Sequence, residues 1–109
     1  MTSQGRVRQL IVTNDGTFDG TVYVFKNAGT YYLAGSITVG ETRSLDLTQV
    51  KGINNGDDIR VRILSSQGAD NTDSTLVTYV SNAANGSRYL ISGTAGDPKI
   101  AFQNLAPLQ

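Results

Sequence analysis

Between residues 58 and 63 branched and charged side chains alternate without a break: Ile59, Val61 and Ile63 against Asp58, Arg60 and Arg62. A period of two places the branched residues on one side of a pleated strand and the charges on the other. Asn54-Asn55-Gly56 precedes the run and supplies residues that tolerate positive φ, a clean sheet breaker. Residues 57–64 are therefore predicted as a half-buried strand with one face for a core and one for water.

Weaker copies of the same pattern fill the rest of the chain. Residues 6–13 hold Val7 and Ile11 on one parity and Leu10 and Val12 on the other, which predicts burial on both sides or a bulge near Gln9. In residues 21–26, Val22 and Val24 oppose Tyr23 and Phe25. Residues 31–39 share Leu33, Gly35, Ile37 and Val39 on one parity, and 42–48 carry Leu45 and Leu47 inward. Val50 and Ile53 lie in the connection before the organising strand and should cap one end of a core as the chain crosses between sheets. Residues 75–80, 88–93 and 99–105 complete the set. Residues 81–87, with Asn85-Gly86, read as a hairpin loop, and Pro98 must start its strand or lie at an edge.

About eight short strands at regular turn spacing, with no helical stripe in any longer window, predict an all-β domain. Each alternating strand must bury one face, so the expected architecture is an antiparallel two-sheet β-sandwich of jelly-roll or Greek-key type. It should form one domain over residues 1–109.

Composition narrows function by exclusion. The 109 residues are 39% hydrophobic and only 17% charged, with 12 glycines, which suits strands joined by tight turns better than disorder. Nine basic and nine acidic residues cancel, so no global field steers the chain to nucleic acid, and self-association is not opposed by repulsion. Cysteine is absent, which removes disulfides, thiol chemistry and thiolate metal sites. No apolar leader or membrane span appears in the sequence, and the protein is expected to be cytoplasmic, particle-associated or released by a non-classical route.

Histidine is also absent, so no imidazole can serve as acid, base or metal ligand near neutral pH. The acids are Glu41 and eight aspartates, mostly beside turn residues. The neighbours Asp57 and Asp58 point to opposite faces of a strand and form no acid–base pair. The chain is expected not to be an enzyme.

Two loops offer oxygen ligands suited to calcium: Asp15, Thr17 and Asp19, and Asp70, Asn71 and Asp73. The first has the Asp and Gly spacing that opens an EF-hand loop, but Lys26 stands where that motif needs its glutamate. The second, with its acids closer together, is the candidate metal and ligand loop, although such residues in β-loops ordinarily bond their own backbone. For carbohydrate, which stacks on exposed rings, Tyr31 and Tyr32 are adjacent, so one must face outward. Tyr32, with Asn27 and Thr30 nearby, is the candidate. If the strands holding Arg6, Arg8, Arg60 and Arg62 paired, four guanidinium groups would form an anion patch; a charge-mixed solvated face is the simpler expectation.

The leading expectation is a non-enzymatic, lectin-like recognition module for carbohydrate that acts as a homo-oligomer, because single sites of this kind are weak. A self-assembling structural subunit is the alternative, with residues 6–13 and 99–105 as edge strands. A small membrane-acting or toxin-like module comes third and would use Phe18 as its insertion residue.

Overall fold

A computed structural model describes residues 2–26 and 30–109. The chain runs through β1 (Arg6–Val7), β2 (Gln9–Asn14), β3 (Gly20–Lys26), β4 (Thr30–Ile37) and β5 (Thr42–Asp46). After one 3-10 turn at Leu47–Gln49 come β6 (Asp58–Ser65), β7 (Asp70–Thr72), β8 (Val77–Tyr79), β9 (Asn85–Thr94) and β10 (Asp97–Pro107). The first sheet has the order β1-β8-β6-β3-β4, with β7 also paired to β6; the second is β10-β9-β2-β5.

The organising strand is β6. Ile59, Val61 and Ile63 are fully buried and alternate with partly exposed Arg60, Arg62 and Leu64. They meet Val22 and Val24 from β3, and Leu10, Val12, Tyr89 and Ile91 from the second sheet, in one continuous cluster. Each such side chain removed from water contributes about 1.5–3 kcal/mol. Val50 and Ile53 close one end of this core on the passage from β5 to β6, as the sequence predicts. Lower down that passage, the Asn54 N–H donates to Asp57 Oδ2 at 2.7 Å and holds the Asp57 carboxyl below its ordinary pKa, with Lys26 helping.

Both sheets are mixed, which corrects the antiparallel expectation. β1 runs parallel to β8, and β2 runs parallel to β9. One N-terminal segment causes both exceptions. It changes sheets at Arg8, so a single chain direction must meet β8, already fixed antiparallel to β6, and β9, fixed antiparallel to β10. The change of sheets also explains the mixed parity of residues 6–13: Val7 enters the core from one sheet, Leu10 and Val12 from the other.

Ile11 faces outward on the second sheet yet is only 5% exposed. It lies across Gly86, where a β-carbon would come within 2.9 Å of the Gln9 carbonyl and 3.1 Å of Ile11 Cδ1. That crossing requires glycine, so Asn85-Gly86 is not a hairpin loop but the start of β9, paired with Pro107 and Ala106. The hairpin falls instead between Thr94 and Asp97. Among the described residues there are ten strands rather than about eight, because residues 6–13 divide in two and the polar stretch after β6 contains β7. Of the two expected edges, β10 is one; from residues 6–13, β2 lies inside its sheet and the two-residue β1 borders the first sheet, whose other edge is β4.

Candidate ligand-binding face

Because Val22, Val24, Val61 and Ile63 point inward, their neighbours must point outward. Strand register then sets those neighbours in rows. Leu33, Tyr23 and Arg62 lie side by side across β4, β3 and β6, and Tyr31, Phe25 and Arg60 form the next row. Three rings, one leucine and two guanidinium groups share one outer sheet face.

The polar groups are held in place. The Arg62 guanidinium carbon lies 4.3 Å from the Tyr31 ring centroid and 5.5 Å from that of Tyr23, a cation–π arrangement with both. Arg62 Nε donates to Asp70 Oδ2 at 2.8 Å, and Arg60 Nε donates to the Ser74 carbonyl at 3.2 Å. Phe25 packs against Tyr31 with centroids 5.0 Å apart. Leu33 is 61% and Tyr31 42% exposed, while Tyr23 and Phe25 are half-buried supports. Such a surface can accept the C–H face of a ligand on its rings. Guanidinium N–H groups beyond Nε and the half-exposed Asp70 carboxylate remain at its rim to bond hydroxyls.

The sequence candidates are dispersed by the fold. Tyr31, not Tyr32, turns its ring outward. Tyr32 is half-buried on the core, with its ring against Gly52 and Lys26 Nζ 5.8 Å from its centroid. Thr30 is exposed at the start of β4, and Asn27 lies outside the described residues. Within the loop candidate, only Asp70 reaches the face. Asn71 donates through Nδ2 to the Pro98 carbonyl at 3.1 Å. Asp73 is buried and accepts from the Thr75 N–H at 2.8 Å and from the Phe102 N–H. Asn71 and Asp73 thus tie the first sheet to β10, and the three side chains diverge. Among the described residues, no group of three or more His, Cys, Asp or Glu side chains gathers as a metal set.

Arg60 and Arg62 share the face, but β8 separates them from β1, so the four arginines do not meet. Phe18 is 3% exposed and folds onto the core. Among the described residues no helix is long and apolar enough to cross a membrane. Phe25 and Leu33 were missed as site residues. Their alternation with Val24 and Tyr32 was visible, but the register that sets them beside Arg60 and Arg62 was not.

The outer face of the second sheet carries a cleft of about 300 Å3 with Ile11 and Leu90 at its base. On the core side of the same strand, Ser87 Oγ and Tyr89 Oη are buried, and neither makes a well-formed hydrogen bond among the described residues. Burial pushes the Tyr89 phenol well above its ordinary pKa, and the neighbouring Ser87 hydroxyl offsets only part of this.

Fold and face together define an all-β protein of two mixed sheets with an aromatic, arginine-braced outer surface. No protein-family model and no curated protein matches the sequence.

Proposed function

We propose that this protein is a non-enzymatic recognition module that binds carbohydrate on the outer face of its first sheet and acts as a homo-oligomer. The supporting observation is the exposed Tyr31 ring, on the same face as Leu33 and with the Arg62 guanidinium carbon 4.3 Å from its centroid. A ring fixed in this way loses little freedom when a ligand stacks on it. The two-layer fold, understood as a sandwich of Greek-key or jelly-roll type, gives that ring a rigid base.

The test is a glycan panel followed by amide chemical-shift mapping. Binding should perturb Tyr31, Leu33, Tyr23 and Arg62, and Tyr31→Ala should weaken it by about tenfold, the loss of roughly one stacking contact. A panel without hits, or shifts elsewhere, would end the proposal.

The self-assembly alternative has an observation of its own. β4 is an edge strand with no charge and no proline, while β10 contains Pro98, Lys99 and a register shift, and β5 contains Arg43. A bulge at Ala34 and the bond from Arg43 to the Ser36 carbonyl guard the later half of β4, which leaves its first half open to a second copy. Molar mass measured over a concentration series separates the readings. A fixed small oligomer accords with recognition, and open-ended growth accords with assembly.

A further inference from the structure

The cleft on the second sheet has a chemistry unlike that of the aromatic face. Its base is aliphatic, made by Ile11 and Leu90. Along one side, the register shift in β10 inserts Gln103 between Phe102 and Asn104, so two consecutive amide side chains, Gln103 and Asn104, line the same cleft. An ordinary strand would have sent one of them to the opposite face. The opposite wall is Gln109, fixed to Gln9 by reciprocal bonds: its N–H donates to Gln9 Oε1 at 2.8 Å, and Gln9 Nε2 donates to its carbonyl at 3.3 Å. At the end of the cleft the Thr13 and Thr42 hydroxyls are bonded at 2.9 Å.

One charged side chain sits among these neutral side chains. Arg88 is exposed, lies in the cleft beside Ile11 and Asn104, and makes no ion pair among the described residues. Among the described residues no Asp or Glu side chain lines the cleft. A guanidinium is a fork of donors matched to a carboxylate, and amides and hydroxyls over an aliphatic floor match a ring bearing hydroxyls. We propose that this cleft is a second binding site, for a small carboxylate ligand that also carries hydroxyl groups, of the sugar-acid class. Arg88 holds the carboxylate, the Gln103 and Asn104 amides take the hydroxyls, and Ile11 and Leu90 take the C–H face. The site lies on the opposite side of the molecule from Tyr31 and stands independently of the proposed aromatic site.

The experiment titrates the whole protein with glucuronate, using glucose and acetate as controls, and follows backbone and side-chain amides by NMR. Glucuronate should shift Arg88, Gln103, Asn104 and Thr13 in a saturable way, glucose should not, and acetate should act only weakly. Arg88→Gln should weaken the response by about tenfold or more, the loss of a charge-assisted pair. Asn104→Ala should weaken it less, and Tyr31→Ala should leave it unchanged. Both cleft side chains are exposed, so the variants should keep the wild-type amide spectrum elsewhere. Equal shifts with glucose, indifference to Arg88→Gln, or a response centred on Tyr31 would each overturn the assignment.

Discussion

Replacing Asp73 tests how the polar stretch after β6 is used. The side chain is 8% exposed, and its two oxygens accept from separate backbone donors: Oδ1 from the Thr75 N–H, Oδ2 from the Phe102 N–H of β10. The second bond spans the two sheets. Hydrogen bonds to a charged group are worth about 1.5–3 kcal/mol each, and a buried donor left without an acceptor keeps its full desolvation penalty. Asp73→Ala orphans both donors, for an expected loss of about 3 kcal/mol. Asp73→Asn keeps the shape but turns an NH2 group toward one of the two N–H donors, so about 2 kcal/mol should still be lost. A domain of this size has only about 5–15 kcal/mol to lose. Urea unfolding at neutral pH should show the effect as a midpoint shift of more than about 1 M with an unchanged slope. The measurement is repeated with calcium. If Asp73→Asn stays within about 0.5 kcal/mol of wild type, as for an ordinary surface position, the structural role is refuted. If the loss appears only with calcium present, Asp73 is a cation ligand instead.

Two further outcomes follow from the core. The folded state holds the Tyr89 phenol neutral, so its contribution to stability is complete below the ordinary phenol pKa and is lost as pH rises above it. Wild type should lose about 1.4 kcal/mol per pH unit above roughly pH 10 relative to Tyr89→Phe, and equal alkaline slopes in urea unfolding would refute this. Gly52 has φ +104, and a β-carbon there would sit 2.1 Å from Tyr32 Cε1; Gly40 has φ +79 and open space. Gly40→Ala should cost about 1 kcal/mol of backbone strain and Gly52→Ala at least about 2 kcal/mol more, since the ring must also move; equal thermal melts would show that Tyr32 does not pack there.

How much of this was legible in the sequence depended on whether the cause was local. The alternation in β6 is local, and it correctly assigned Ile59, Val61 and Ile63 to the core. The crossing capped by Val50 and Ile53 was also legible, because apolar residues in a polar connection have few other places to go. Gly86 was misread for the opposite reason: an Asn-Gly pair signals a turn, and only the long-range passage of Ile11 shows why that glycine lies in a strand. The direction of β1 and β2 was likewise hidden, since it depends on the sheet change at Arg8. Choosing between Tyr31 and Tyr32 required the register across β3, which period-two counting cannot supply.

The same register explains why the proposed site lies on a sheet face and not in the loops. The core is filled almost entirely by Val, Ile and Leu, with Phe18, Tyr79 and Tyr89 as its buried aromatics. Tyr23, Phe25 and Tyr31 are therefore not needed for core packing, and solubility alone would be served as well by Thr or Lys at those positions. Instead the three rings converge in adjacent rows, and Arg62 is placed where it stacks on two of them while Asp70 fixes its far side. An exposed ion pair contributes little to stability in water. Its effect here is on orientation: by restricting Arg62 it restricts Tyr31, and a ring held in one attitude beside an exposed Leu33 is a feature of binding surfaces more than of inert ones.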